Sequence, residues 1–170
     1  MTSIRLSDLN NTFFDIYFMK LASIINSDQV VLELSSSEHE GVISELVDHM
    51  AELQGFEPEL SVELKSSFIE REKEFTTGIG NGVAIPHAFS DEIQDPVVVL
   101  GKSSHGLDFG SLDDQPVRLV VLFVSPKGEY HKHLNVLAAI GKTFRSTGVI
   151  DGVLEAGSEE EVVELLRMKK

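Results

Sequence analysis

Two short runs, PVVVLG at residues 96–101 and PVRLVVLFVSP at residues 116–126, constrain this chain more than anything else in it. Each is too short to cross a membrane, and each carries too many β-branched residues to sit comfortably in a helix. Neither alternates apolar with polar positions, so both read as central strands buried on two faces rather than one. Such a sheet needs a layer of helices on each side, and the rest of the sequence supplies them.

Residues 28–36, DQVVLELSS, have the β-branched density of a further short strand, after which Ser37 and Glu40 form an S-x-x-E capping box that opens a helix. That helix carries Ile43, Leu46, Val47, Met50 and Leu53 on one face and stops at Gly55. Ser61 caps a second helix, with Leu64 and Phe68 inward and the run from Glu70 through Arg71, Glu72 and Lys73 to Glu74 as a solvated end. From His131 to Phe144 helical spacing returns through Leu134, Leu137, Ala138 and Gly141, and Ser158 with Glu161 makes a second capping box ahead of EVVELLRM. Near the start, Phe14, Phe18, Leu21, Ile24 and Ile25 recur at helical spacing, an edge segment being the alternative. Asp15 and Lys20 interrupt that stretch, so it is neither a secretory signal nor a membrane span. With no repeat and no dividing linker, the expectation is α/β: one domain over residues 1–170, a single mixed β-sheet flanked by helices on both sides, with residues 1–19 as a candidate N-terminal extension.

Function has to come from a site. The stretch TGIGNGVAIPHAF at residues 77–89 places Gly78, Gly80 and Gly82 at alternate positions, with Asn81 among them, and leads through an apolar segment to Pro86 and His87. Glycines at this density make either a tight turn or a cradle of backbone N–H groups for an anion. The G-K-[ST] ending of a nucleotide P-loop and the G-x-G-x-x-G spacing of a dinucleotide loop are both missing, so neither ligand is indicated. His87 follows at the end of a presumed strand, where it is either a hydrogen-bonded histidine at the rim of the core or a functional group. An imidazole suits phosphoryl transfer near neutral pH, because one ring nitrogen attacks while a hydrogen bond on the other fixes the tautomer. His131 and His133, two residues apart at a presumed helix start, are candidates for a second imidazole, and Arg71 for a cation. The same three histidines could instead ligate a metal, although H-x-H is a weak pattern, or His131 and His133 could simply be solvated residues of a first turn. His39, His49 and His105 need only surface or packing roles.

Charge and composition exclude several classes. With 14 basic against 28 acidic residues the chain carries −14, which repels phosphate backbones and anionic membranes, so neither nucleic acid nor membrane insertion is expected. The absence of cysteine removes disulfides, zinc–thiolate sites and thiol nucleophiles, and fits a reducing cytoplasm.

Three segments together carry a resemblance: EREKEFTTGIGNGVAIPHAF, LDFGSLDDQPVRLVVLFVSP and HKHLNVLAAIGKTFR. Over residues 20–167 the sequence resembles the enzyme IIA domain of the fructose/mannitol type in the bacterial phosphoenolpyruvate-dependent phosphotransferase system, including its nitrogen-regulatory relatives. The resemblance implies a mixed sheet flanked by helices, and His87 as the residue phosphorylated by the carrier HPr. It implies His133 as the second active-site histidine, Arg71 as the neighbouring cation, and no cofactor; His131 has no assured counterpart. The glycine loop, with Asn81, would then admit the phosphoryl group and a partner's imidazole to a shallow site rimmed by Phe89. Onward transfer to a separate IIB domain would make the chain part of sugar uptake. Label-dependent binding to a target protein would make it a nitrogen-type regulator, the reading favoured because no IIB-like domain or membrane segment is attached.

Overall fold

Along the strand at residues 117–126 the side chains divide by parity, and that division sets the architecture. Leu119, Val121 and Phe123 join one core cluster while Val120, Leu122 and Val124 join another, all fully buried. The computed structural model describes residues 19–168. In chain order its elements are two 3₁₀ turns (Leu21–Ser23 and Ser27–Gln29), strand β1 (Val30–Val31), helices α1 (His39–Gln54) and α2 (Pro58–Glu74), and strands β2 (Gly78–Gly80), β3 (Val83–Ala84), β4 (His87–Ser90), β5 (Val97–Leu107) and β6 (Val117–Pro126). Helices α3 (Tyr130–Thr143), α4 (Thr147–Glu155) and α5 (Glu159–Arg167) follow.

The strands form one mixed sheet of order β1-β5-β6-β3-β2, with β4 also paired to β6. The two long central strands are antiparallel to each other; β3 and β4 run parallel to β6 along one edge, end to end, in continuous register from Val83 opposite Leu119 to Ser90 opposite Pro126. Pro86 interrupts only the ladder's donors, and its carbonyl still accepts from Phe123 N at 3.0 Å. Helices α1 and α2 cover one face through Ile43, Leu46, Met50, Leu64 and Phe68. On the other face lie α3, α4 and α5, through Val136, Ile140, Ile150, Val153 and Val162, with Leu21 from the first turn. The sheet is therefore flanked by helices on both sides.

Several local expectations need correcting. Helix α1 does not use Ser37 and Glu40 as a box: its N-cap is Glu38, without a side-chain cap, and the preceding turn is held by Glu45, which accepts from Ser35 N and Ser36 N. Leu53 is outside the buried face of α1, whereas Gly55 does end it, at φ 65°. Helix α2 begins at Pro58 rather than at Ser61, because a proline in the first turn forfeits no helical hydrogen bond. Ser158 does cap α5, accepting from Glu161 N at 3.2 Å, but the Glu161 carboxylate turns to Gly157 N instead of closing the box. The strand expected over residues 28–36 shortens to Val30–Val31. In α3 the inward face is His133, Val136, Ala139 and Ile140, one position removed from the stripe expected through Leu134, and Leu134 is 60% exposed. The expected N-terminal extension, with Phe14 and Phe18, falls outside the described residues apart from Met19, which packs against the core.

Candidate functional site

Strand β4 is the outer strand alongside the second half of β6, so a group on its open edge can be reached from both helical layers. Along β4, Ala88 and Ser90 are buried while His87 and Phe89 are half-buried on the opposite side. His87 Nδ1 lies 2.8 Å from the Ile85 carbonyl. A carbonyl can only accept, so Nδ1 carries the proton and Nε2 presents its lone pair. From the last turn of α2, Arg71 brings Nη2 to 3.5 Å from that Nε2, with Nη1 anchored on the Phe75 carbonyl at 3.3 Å. From the first turn of α3, the His133 ring meets His87 edge-on with centroids 5.1 Å apart.

Aromatic rings fix the two imidazoles. Phe123 underlies both, at 5.6 Å from His87 and 4.9 Å from His133, and Phe89 stacks on His133 at 4.3 Å. His133 is only 7% exposed, with Nδ1 3.2 Å from the hydroxyl of fully buried Ser125. Both histidines titrate low. Burial is the main cause for His87, opposed by the Ile85 carbonyl and reinforced by the Arg71 charge, which outranks the raising influence of Glu72. For His133 burial, then His87 and Arg71, bring the pKa to about 4. Both rings are thus neutral at pH 7, one offering a nucleophilic nitrogen beside a fixed cation.

Glu72 corrects the reading of residues 70–74 as a solvated end. Its carboxylate is buried, accepting from Thr77 N and Thr77 Oγ1 at 2.8 Å each, with His39 Nε2 3.5 Å away. Burial alone would raise its pKa, yet His39 and the two Thr77 bonds outweigh it and hold the group below the usual carboxylate value. His39 itself packs on Phe109, centroids 3.9 Å apart, in keeping with a packing role.

The structure brings His87, His133 and Arg71 together, and it builds the glycines into the β2–β3 hairpin. Gly78 and Gly80 lie in β2, and Asn81 with Gly82, at φ 55° and 74°, forms the two-residue turn of the β2–β3 hairpin, both φ values being those of a type I′ turn. Val83 stands opposite Leu119 and His87 opposite Phe123, four positions further along, so the backbone of Val83 stands about 13 Å from that of His87 at 3.3 Å per residue, with the turn beyond Val83. The Asn81 amide donates to Asp113 at 2.9 Å. Of these residues Asn81 and Gly82 make the tight turn, while Gly78 and Gly80 lie in the strand that leads into it.

His131 goes elsewhere too, its Nε2 3.4 Å from the Glu129 carboxylate on the exposed side of α3. Among the described residues no group of three His, Asp or Glu side chains converges as metal ligands, so the three-imidazole metal set is not assembled. Sequence reasoning passed over Glu72, Phe123 and Ser125. A lone hydroxyl in the run LVVLFVSP was the available signal for Ser125, since a serine inside a two-face-buried strand needs a partner.

Comparison with known proteins shows the family and the fold. Residues 23–169 match the family model described as "Phosphoenolpyruvate-dependent sugar phosphotransferase system, EIIA 2". The chain is 32% identical over 146 residues to the fructose-specific EIIA component of Haloferax volcanii, covering 86% of this chain and 94% of that protein. It is 30% identical over 131 residues to a nitrogen regulatory protein of Bradyrhizobium diazoefficiens, covering 77% and 84%. At 30% identity it spans only 23% of the fructose-specific EIIABC component of Bacillus subtilis. The fold matches the crystal structure of nitrogen regulatory protein IIA-Ntr from Neisseria meningitidis with a TM-score of 0.78 at 22% identity, over 86% of this chain and 98% of that one.

Proposed function

Because the chain belongs to the enzyme IIA family of the phosphoenolpyruvate-dependent sugar phosphotransferase system, we propose that it is a relay protein holding a phosphoryl group on His87 Nε2, received from the carrier HPr in the cytoplasm. The observation that carries this reading is the opposed arrangement at one nitrogen: Nδ1–H is committed to the Ile85 carbonyl, and the Arg71 guanidinium waits 3.5 Å from the free Nε2. In-line attack by that lone pair forms the new N–P bond as the N–P bond to the donor imidazole breaks, and the donor leaves with the electron pair. The phosphoryl oxygens gain Arg71 as counter-charge and the His133 ring as neighbour, both in place before transfer.

A relay between two proteins needs an open site. Three large apolar or aromatic side chains are exposed on the elements that carry the site: Tyr130 at 63%, which meets Phe89 edge-on, Leu134 at 60% four residues further along α3, and Phe75 at 73% at the end of α2. A rim of this kind suits a partner that docks and departs. No helix among the described residues is long and apolar enough to cross a membrane.

Two acceptors suit the relay. The 32% identity to a fructose-specific EIIA component along 94% of its length supports transfer to a IIB domain in sugar uptake. The 30% identity to a nitrogen regulatory protein supports a regulator whose phosphorylation state selects its target. Phosphoenolpyruvate, enzyme I and HPr should label the protein with an acid-labile phosphate; if His87→Ala still takes the label, the site is misassigned. Offered to IIB domains, the labelled protein should discharge rapidly in the uptake case and be retained on a regulatory target in the other.

A further inference from the structure

The hydroxyl of Ser125 belongs to no part of the relay described above, yet it is completely buried and has one hydrogen-bond partner among the described residues, His133 Nδ1 at 3.2 Å. We propose that Ser125 is a positioning residue: its O–H donates to His133 Nδ1, fixing the Nε2–H tautomer, so that His133 meets the phosphoryl group on His87 as a hydrogen-bond donor. This inference rests on His87 being the phosphorylated residue.

The direction of the bond follows from accounting for protons. A neutral imidazole has one donor and one acceptor nitrogen, whereas a hydroxyl can take either part. If Nδ1 held the proton, it would donate to Ser125 Oγ and leave the buried O–H without an acceptor among the described residues, a loss comparable to an unmade hydrogen bond. If Ser125 donates, both groups are satisfied, and Nε2–H is left as the donor of a ring packed between Phe89 and Phe123. Burial, with His87 and Arg71, keeps that ring neutral down to about pH 4, so the choice of tautomer matters throughout the working range.

The two histidines are then complementary. A carbonyl that can only accept sets His87 as Nδ1–H with Nε2 unprotonated; a hydroxyl with no other partner among the described residues sets His133 as Nδ1 unprotonated with Nε2–H. One Nε2 attacks phosphorus, and the other has a proton to offer its oxygens. With the opposite tautomer, His133 would turn a lone pair toward a dianion, and the contact would be repulsive.

Long-range ¹H–¹⁵N NMR of the imidazoles in the unmodified protein reads the tautomer directly. The expected pattern is protonated Nε2 and hydrogen-bonded, unprotonated Nδ1 for His133, and the reverse for His87; a protonated Nδ1 on His133 overturns the proposal. Ser125→Ala should release His133 into a tautomer mixture and slow single-turnover transfer from phosphorylated HPr about tenfold, with half-saturation by HPr unchanged. An unchanged tautomer and rate in a folded Ser125→Ala protein also overturns it. Should the unmodified protein accept no phosphoryl group at all, the relay reading fails by itself, while the imidazole spectrum still decides whether Ser125 donates to His133.

Discussion

Acid should unfold this protein through His133 earlier than its carboxylates alone would. The ring ionises at an ordinary 6.5 when unfolded and at about 4 when folded, held down by burial first, then by His87 and Arg71. Between those values the unfolded chain carries the proton and the folded chain does not, so the unfolded state binds more protons and stability falls as pH drops through the window. At about 1.36 kcal/mol per pKa unit the ceiling is about 3 kcal/mol. The ring is 7% exposed, but a hydroxyl and a second imidazole adjoin it, so about 2 kcal/mol is the working figure between about pH 7.5 and pH 4.5. For a chain of this size that is roughly 4–8 °C in Tm. The assay is urea unfolding of the intact chain and of His133→Asn at both pH values; Asn retains an acceptor for Ser125 but does not titrate. The expected result is a variant whose pH-dependent loss is smaller by about 2 kcal/mol, whatever its stability at neutral pH. Equal losses would mean that His133 ionises in the folded protein as it does in water, and the neutral, buried imidazole would have to be given up.

Arg71→Ala should reduce transfer from phosphorylated HPr by about 10²–10³, the usual effect of removing one preorganised donor, and Arg71→Lys should recover only part because a point charge cannot match the fork that also holds the Phe75 carbonyl; rapid-quench rates check both, and an unaltered Arg71→Ala rate would remove the guanidinium from the site. Gly82→Ala should destabilise the hairpin by about 1 kcal/mol or more because φ is 74° there, while the transfer rate stays at its original value, since the turn is remote from His87; thermal melts and the same rate measurement separate the two, and a slowed transfer at full stability would restore the glycines to the site.

The sequence made the centre of the fold readable because residues 97–100 of β5 and 119–124 of β6 are apolar and rich in β-branched residues with no polar alternation, which leaves a two-face-buried strand as the one stable use for them. Helix α3 was readable as a helix but not in its orientation. Leu134, Val136, Leu137, Ala138, Ala139 and Ile140 leave apolar residues on overlapping stripes, and periodicity cannot choose between neighbouring faces when both are apolar. The choice fell to tertiary packing, which turned His133 inward toward Ser125 and left Leu134 outside. The helix-start errors have a local origin: Ser37 and Ser61 are competent caps, but Pro58 starts α2 a turn before Ser61, and Glu45 takes over the turn ahead of α1. The glycine motif pointed to His87 by adjacency rather than by mechanism, since the same residues that look like an anion cradle also encode an Asn-Gly hairpin, and that hairpin is what the register against β3 and β6 shows.

Glu72 shows why an acidic chain can keep a bare cation at such a site. It follows Arg71 directly, and a free carboxylate there would compete with an incoming phosphoryl group for the guanidinium. Both of its oxygens are instead occupied by Thr77, with His39 beside one of them, which pins the end of α2 to the start of β2 and turns the carboxylate away from exposed solvent. Arg71 is left with the Phe75 carbonyl and His87 Nε2 as its contacts, and with no carboxylate in salt-bridge range among the described residues. At His87 the Arg71 charge outranks that of Glu72, so two neutral imidazoles and the guanidinium give the pocket a positive lining in a molecule of opposite net charge. On the proposed relay, a phosphoryl dianion would gain most from such a pocket when carried on His87, and the charge that repels it from the rest of the surface would work with the site to hold it there until a second protein takes it.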